Sequence, residues 1–396
     1  MSITRRGLVG GAATAAVLVP LRVRAQSEDA RRRALVDQVR QDYGLPGLTV
    51  ALAAGGKVIF EAQSGVADTA TREPVTGQSL FRIASCTKPF TSAAMMLAAS
   101  TGRPDRADLD QKVFGAGGLL AELDVPGMRN GWEAITVRQL LTHTAGCPTN
   151  DGRDPMFAPA LRNLGDAPFI REVATSRCLN QEMPRDGACP RTSPGLQYAY
   201  SNFGFYLLGA IIGRAALRCD APQPDAPACE VAGPYGRFVQ EMVLKPRGIH
   251  GMRLARNGVR LPNEVVYYGE NGENPYGFNI TRMAAHGGWV ATAHDVALFA
   301  ATALQGLPEA MEQRMATPTP QSLAAGQPYG EGWQLGGNPP YNLWHNGSLP
   351  GTTSILWRQP NGRSYAAMTN LRTGRTVGGR SLLTAIDQLG YQLFTV

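Results

Sequence analysis

Lysine is scarce in this sequence, which holds only four among 396 residues, at positions 57, 88, 112 and 245. Charged residues make up 17% of the chain, and the formal net charge of +7 rests partly on residues 1–25, which hold four arginines and no acid. Without that segment, the loss of four positive charges lowers the net charge from +7 to +3. Such a weak positive charge argues against nucleic acid as a partner.

Motifs for cofactors and metals are also missing. No glycine-rich loop suited to phosphate binding occurs, and His250, His286 and His294 lack the spacing of metal ligands. Neither an internal repeat nor a low-complexity tract is present. A hydrophobic content of 43% is typical of a globular protein of enzyme size, and we expect neither a cofactor nor a metal.

Long apolar runs are confined to the N-terminus. Arg5-Arg6 precede the apolar residues 7–21, which are fewer than the roughly 20 that a membrane-spanning helix needs. A V-x-A cleavage pattern then ends at Ala25. Residues 1–25 therefore look like a twin-arginine signal peptide, which predicts a periplasmic or secreted mature protein without a membrane span. The sequence leaves the oligomeric state open.

Six cysteines fit an oxidising compartment. Two pairs each bracket a polar or proline-rich loop, and local disulfides are their simplest interpretation: Cys178 with Cys189, and Cys219 with Cys229. Cys86 and Cys147 either pair with each other or stay free, and the sequence leaves both alternatives open.

The order of elements predicts an α+β fold. A helical pattern ends near Tyr43, two strands meet at Gly55-Gly56, and a second hairpin turns at Asn361-Gly362 before a final helix. We predict one antiparallel sheet built from the N- and C-terminal segments and flanked by helices, with a mostly helical region inserted between them. A catalytic cleft is expected where the two parts meet.

In residue numbers, we predict a single catalytic domain over 26–396. Its α/β part covers about 26–100 and 265–396, and its mostly helical part covers about 101–264. The segments 148–195 and 219–233 are rich in Pro, Asp and Cys, which favours surface insertions.

The run RIASCTKPF places Ser85 three residues before Lys88. Pro89 and the apolar spacing that follows predict a helix beginning close to Ser85, so the two side chains face the same way. A hydroxyl becomes a nucleophile when a neighbour takes its proton. A lysine can take it when burial and the positive helix end lower its pKa. The plain alternative is a capping serine beside a solvated lysine.

Two later segments offer partners for this pair. Tyr200 and Asn202 precede an apolar helical run, and both can point from one loop into a common cleft. His345-Asn346-Gly347 begins the C-terminal hairpin, where the glycine would let a substrate lie against the strand.

The elements Ser-x-x-Lys, Tyr-Ser-Asn and His-Asn-Gly together resemble the signature of serine β-lactamases and penicillin-binding proteins. The similarity is to the branch that contains class C β-lactamases, D-Ala-D-Ala carboxypeptidases and related esterases. It extends to LTHTAG, AAHGGW and HNGSLPGTTS, which occur in the family's order, and the resemblance as a whole spans nearly the whole mature chain.

This resemblance implies a β-lactamase/transpeptidase-like fold and an acyl-enzyme mechanism. Ser85 would be the nucleophile, Lys88 its activator, Tyr200 the proton shuttle and Asn202 the partner of Lys88 and of the substrate amide. His345 would support Tyr200 and the substrate. The oxyanion hole would be formed by the backbone N–H groups of Ser85 and Ser348, and the expected substrate contacts are Asn346, Gly347 and Asn150.

The third element departs from class C β-lactamases, which carry lysine where this chain has His345. A histidine can be neutral at neutral pH and then attracts a substrate carboxylate less. The departure leaves three substrate classes open: a β-lactam, a D-amino-acid peptide or an ester. A carboxylesterase and a low-turnover protein that binds penicillin or cell-wall peptide are the alternatives.

Overall fold

The structure, a computed structural model, describes residues 15–100, 108–123, 131–146, 154–175, 194–217 and 232–396. Several expectations from the sequence lie outside these ranges. They are the first fourteen residues of the signal segment, Asn150, and the cysteines at 147, 178, 189, 219 and 229.

Twelve strands and ten α-helices occur in the described residues. The strands are β1 Gly47–Ala54, β2 Lys57–Asp68, β3 Glu73–Pro74, β4 Phe81–Arg82, β5 Arg253–Leu254, β6 Trp289–Ala291, β7 Gln334–Gly336, β8 Asn342–Leu349, β9 Thr352–Arg358, β10 Ser364–Thr369, β11 Thr376–Val377 and β12 Arg380–Ser381. The helices are α1 Ala15–Tyr43, α2 Lys88–Ser100, α3 Val137–Leu141, α4 Asp166–Thr175, α5 Asn202–Leu217, α6 Ala232–Phe238, α7 Ala293–Thr302, α8 Glu309–Met315, α9 Pro320–Ala324 and α10 Leu382–Leu393.

The main sheet joins the two ends of the chain, as the sequence predicts. Its seven antiparallel strands follow the order β3-β2-β1-β10-β9-β8-β7. The N-terminal β1 pairs with the C-terminal β10 from Leu48 opposite Thr369 to Ala53 opposite Ser364. The prediction of an α+β fold with this sheet is confirmed.

Helices cover both faces of the sheet. On one face α1 and α10 bury an apolar cluster that includes Val36, Trp357 and Leu389. On the other face α7 packs against β1 and β10, and its Phe299 stacks on Phe90 of α2 at 3.6 Å between ring centroids. This second layer fixes α2, and with it the turn that carries Ser85.

The described part of segment 148–195 is not a surface insertion, contrary to the sequence interpretation. Asp154 and Met156 are buried, and α4 buries one face that includes Phe169 and Val173. The polar and proline-rich composition of the segment favoured a loop. The few apolar residues of α4 nevertheless recur at a helical period and form its buried face. No described helix is long and apolar enough to cross a membrane.

Candidate active site

Ser85 lies in a tight turn between β4 and α2. One 3-10 turn spans Ala84–Thr87, and α2 begins at Lys88. Ala84 has a φ of +46°, a left-handed conformation that is strained for a residue with a Cβ and persists only where packing enforces it. Ser85 is partly exposed, whereas its neighbours Ala84 and Cys86 are buried. The turn therefore presents one hydroxyl to the exterior.

That hydroxyl opens into a cleft of about 320 Å³ between the sheet and the helical region. Both parts of the molecule contribute side chains to its wall. The polar residues that line it are Ser85, Asp154, Asn202, His286, Ser348 and Arg372.

Lys88 lies beneath Ser85 and is completely buried. Its Nζ lies 3.1 Å from Ser85 Oγ, 2.7 Å from Asn202 Oδ1 and 3.3 Å from the His286 carbonyl oxygen. Burial lowers the pKa of Lys88 from 10.5 to about 7, although the nearby Asp154 opposes the shift. At pH 7 about half of the molecules would then carry a neutral amine, against about one in three thousand at a pKa of 10.5.

Tyr200 is held over the same hydroxyl by its neighbours along the chain. The Ala199 N–H donates to the His143 carbonyl at 2.7 Å, and the Ser201 N–H donates to His143 Nδ1 at 3.1 Å. The phenol makes a hydrogen bond with Ser85, and burial raises the pKa of Tyr200 well above 10. The phenol is therefore protonated at neutral pH.

Asn202 joins Lys88 to a carboxylate that the sequence did not reveal. Its Nδ2 donates to Asp154 Oδ2 at 2.7 Å, while its Oδ1 accepts from Lys88. Burial raises the pKa of Asp154. No short motif marks Asp154, because the contact links residues 48 positions apart.

Gly347 of β8 faces the turn that carries Ser85 and does not face the open cleft. A Cβ at this position would come within 2.4 Å of the Ile83 carbonyl oxygen and 2.2 Å of Ser354 Oγ. Ser354 cannot easily give way, since its hydroxyl donates to the same Ile83 carbonyl at 2.7 Å. The glycine therefore lets the strand approach the nucleophile, and the expected substrate contact at Gly347 stays a prediction.

Gly347→Ala tests this close approach. The added methyl group should push β8 away from the turn, destabilise the protein by about 1–3 kcal/mol and lower turnover by about 10²-fold. Thermal unfolding and a hydrolysis assay would measure both effects. Gly374→Ala is the matched control, since its nearest neighbour would be Glu270 Oε2 at 3.8 Å. Equal stability and activity in the two variants would contradict the packing argument.

His345 is completely buried beneath the cleft and is not among the residues that line it, and its expected support of the substrate stays a prediction. Its Nδ1 donates to the Asn346 carbonyl at 2.7 Å, which leaves Nε2 to accept from the Tyr329 hydroxyl at 3.3 Å. Burial, with a smaller effect of Lys88, lowers the pKa of His345 to about 3. The ring is neutral, and its centroid lies 6.1 Å from the centroid of the Tyr200 ring.

The Asn346 side chain faces the side of β8 opposite to His345 and Gly347, and its expected substrate contact stays a prediction. Successive strand residues face opposite sides of a sheet, and the Asn346 Oδ1 accepts from Gln334 Nε2 of β7 at 3.1 Å. The alternation along β8 was readable in the sequence and would have separated Asn346 from His345 and Gly347.

Ser348 and Arg372 form the opposite wall of the cleft. β7 pairs with β8 only from Asn342 to Trp344, so no described strand covers that edge of β8 beside Ser348. Arg372 Nη1 donates to Ser348 Oγ at 3.3 Å and also pairs with Glu273. The oxyanion hole of Ser85 and Ser348 stays a prediction, although both residues border the cleft.

Cys86 is a free, buried thiol on the far side of the turn. Its Sγ donates to the His345 carbonyl at 3.2 Å, and burial raises its pKa to about 12. It is therefore a protonated packing group with no route to the cleft. Within the described residues no cluster of three or more His, Cys, Asp or Glu side chains could hold a metal ion.

A serine that shares a hydrogen bond with a buried lysine, in a cleft between an antiparallel sheet and a helical region, defines a serine hydrolase of the penicillin-recognising fold. The beta-lactamase family model matches residues 32–389, and the chain belongs to that family. The resemblance seen in the motifs is confirmed.

Relatives of several kinds share the family and the fold. A penicillin-binding protein from Bacillus subtilis (strain 168) is 22% identical over 363 residues, which cover 86% of this chain and 71% of that protein. Esterase EstB from Burkholderia gladioli is 29% identical over 218 residues, 54% of this chain and 51% of the esterase. The solved D-amino acid amidase from Ochrobactrum anthropi SV3, complexed with L-phenylalanine amide, has a TM-score of 0.69 and 22% identity over 93% of this chain and 98% of its own.

Proposed function

We propose that the protein is an exported hydrolase that forms an acyl-enzyme on Ser85 and cleaves the amide, lactam or ester bond of a small polar acyl donor, in the manner of a D-Ala-D-Ala carboxypeptidase. One observation carries the proposal: a completely buried Lys88 amine with a pKa of about 7 lies 3.1 Å from the Ser85 hydroxyl. Residues 1–25 support the exported part of the proposal.

In the acylation step, neutral Lys88 takes the proton from Ser85 Oγ while the oxygen attacks the substrate carbonyl. Charge then develops on the carbonyl oxygen, which backbone N–H groups beside Ser85 and Ser348 would stabilise. Tyr200 gives its phenolic proton to the leaving group as the bond breaks. The new ammonium of Lys88, whose Nζ lies 4.6 Å from the Tyr200 ring centroid, stabilises the phenolate and returns a proton to it.

Deacylation reverses the roles of the same groups. A water attacks the acyl carbonyl, its proton passes to the Tyr200 and Lys88 pair, and Ser85 Oγ leaves with a proton. Each cycle consumes one water and restores both residues to their starting protonation states.

The cleft wall narrows the class of substrate. The cleft is small and its lining is mostly polar, with a carboxylate at Asp154 and a guanidinium at Arg372. Such a cleft suits amino-acid or peptide acyl donors better than long aliphatic esters. Two proteins that this chain resembles support this choice: one is named a D-amino acid amidase and the other a penicillin-binding protein.

A carboxylesterase is the second candidate. Its supporting observation is that β8 offers no charged side chain to a substrate carboxylate, because His345 is neutral and buried and Asn346 faces away. Esterase EstB is a relative with that activity in its name.

One substrate panel separates the candidates: a D-Ala-D-Ala peptide, D-phenylalanine amide, nitrocefin, a fluorescent penicillin and p-nitrophenyl butyrate. Peptide or amide turnover together with slow penicillin labelling is the expected result. Ester turnover alone would favour the esterase, and stable labelling without any turnover would favour a binding protein.

The full chain, expressed in a bacterial host with twin-arginine transport, should be recovered from the periplasm beginning at Gln26. Recovery with residues 1–25 intact would contradict export.

A further inference from the structure

The Asp154 carboxylate is buried at the cleft wall, with 7% of its surface exposed. It accepts two hydrogen bonds: from the Met156 N–H to Oδ1 at 3.0 Å, and from Asn202 Nδ2 to Oδ2 at 2.7 Å. The first bond caps a short 3-10 turn over Pro155–Phe157. The second reaches the side chain that holds Lys88.

The amide of Asn202 lies between a group that only donates and a group that only accepts. Toward Asn202, Lys88 donates in both protonation states, since a neutral amine keeps two N–H groups while its lone pair serves Ser85, and an ionised Asp154 has no proton. Asn202 therefore has one satisfactory orientation, with Oδ1 toward Lys88 at 2.7 Å and Nδ2 toward Asp154 at 2.7 Å. If the amide were turned over, its NH2 group would face the N–H donors of Lys88 and its oxygen would face the acceptor oxygen of Asp154.

We propose that Asp154 is a positioning residue: it fixes the amide of Asn202 and, through that amide, holds the amine of Lys88 beside Ser85. The inference rests on the proposed function, because it assigns a task only if Lys88 activates Ser85. It adds a carboxylate from segment 148–195 to a mechanism that the three motifs describe without one.

The charges around Lys88 support this role for Asp154. Neutral groups face the amine from the other described elements: the Cys86 thiol, the Tyr200 phenol and the imidazoles of His143, His286 and His345. Burial raises the pKa of Cys86 and Tyr200 and lowers the pKa of the three histidines. Asp154 is the one carboxylate among these described neighbours that raises the pKa of Lys88.

The test is the pH dependence of Ser85 labelling by a fluorophosphonate probe. In Asp154→Asn one of the two carboxylate acceptors becomes an NH2 donor, so the bond from either the Met156 N–H or Asn202 Nδ2 is lost, and any bond that remains to Asn202 is no longer charge-assisted. We expect the maximal labelling rate to fall by about 10- to 100-fold. Loss of the negative charge should also move the midpoint of the pH profile down by on the order of one unit from about 7.

Two further variants make the test decisive. Asp154→Ser keeps an acceptor for the Met156 N–H and removes both the charge and the oxygen that accepts from Asn202 Nδ2, so it serves if Asp154→Asn does not fold. Asp295→Asn is the control, since Asp295 is also buried but lies in the first turn of α7, which Thr292 caps, outside the cleft lining, and its labelling profile should match the wild type.

The outcomes separate this inference from the proposed function. A lower maximal rate with a lower midpoint in the folded Asp154 variants supports the positioning role. An unchanged midpoint overturns it, even if the rate falls, because a purely structural loss would slow labelling without changing the pKa of Lys88. Absence of labelling at Ser85 in the wild type would instead contradict the proposed function.

Discussion

Ser85→Ala should lower turnover of the best substrate by at least about 10⁴-fold and abolish covalent labelling by penicillin or fluorophosphonate probes. The hydroxyl is the one partly exposed group of its turn and shares a hydrogen bond with both Lys88 and Tyr200. Removing it leaves the packed neighbours in place, so the variant should unfold at nearly the wild-type temperature. Intact-protein mass spectrometry would measure the labelling.

Ser100→Ala is the matched control for this variant. Ser100 ends the same helix, and its hydroxyl donates only to the Leu97 carbonyl at 3.0 Å, so labelling and turnover should stay at wild-type levels. Acyl adduct that persists on Ser85→Ala would place the nucleophile elsewhere and contradict the assignment.

Lys88→Met should lower the acylation rate by about 10²- to 10⁴-fold, the usual contribution of a positioned base. Methionine has a similar length and fills the buried space without an amine, so the loss reports the proton acceptor and not a cavity. The remaining rate should depend little on pH between 6 and 8. Stopped-flow or quenched labelling with the fluorophosphonate probe measures it.

Lys112→Met supplies the comparison, because Lys112 is an exposed lysine outside the residues that line the cleft. It should keep the wild-type acylation rate. Wild-type acylation by Lys88→Met itself would remove the lysine from the mechanism.

Local patterns predicted the centre of the site well. Two residues three positions apart on one helical turn, and a loop before an apolar helix, are short-range features, so the pair Ser85 and Lys88 and the pair Tyr200 and Asn202 followed from spacing. The meeting of the two pairs in one cleft was implied by the resemblance of the motifs to the family. The sheet that joins both chain ends could be predicted for the same reason, since its two hairpins carry clear turn signals at Gly55-Gly56 and Asn361-Gly362.

Contacts between distant segments were not readable. Asp154 and Arg372 reach the cleft through the fold, and no short pattern links either of them to Ser85. The directions of His345 and Asn346 depend on which face of β8 meets the turn of Ser85. The clash that a side chain at Gly347 would cause with Ile83 decides this, and the sequence shows only the alternation.

The pH dependence of Ser85 acylation, compared between the wild type and Lys88→Met, tests the central claim most directly. A buried Lys88 with a pKa of about 7 is protonated and inactive in acid, so the wild-type rate should rise with pH and reach half its maximum near pH 7. That midpoint should disappear in Lys88→Met. A wild-type rate that is flat from pH 5 to 9, or a midpoint that survives the substitution, would contradict a lysine base.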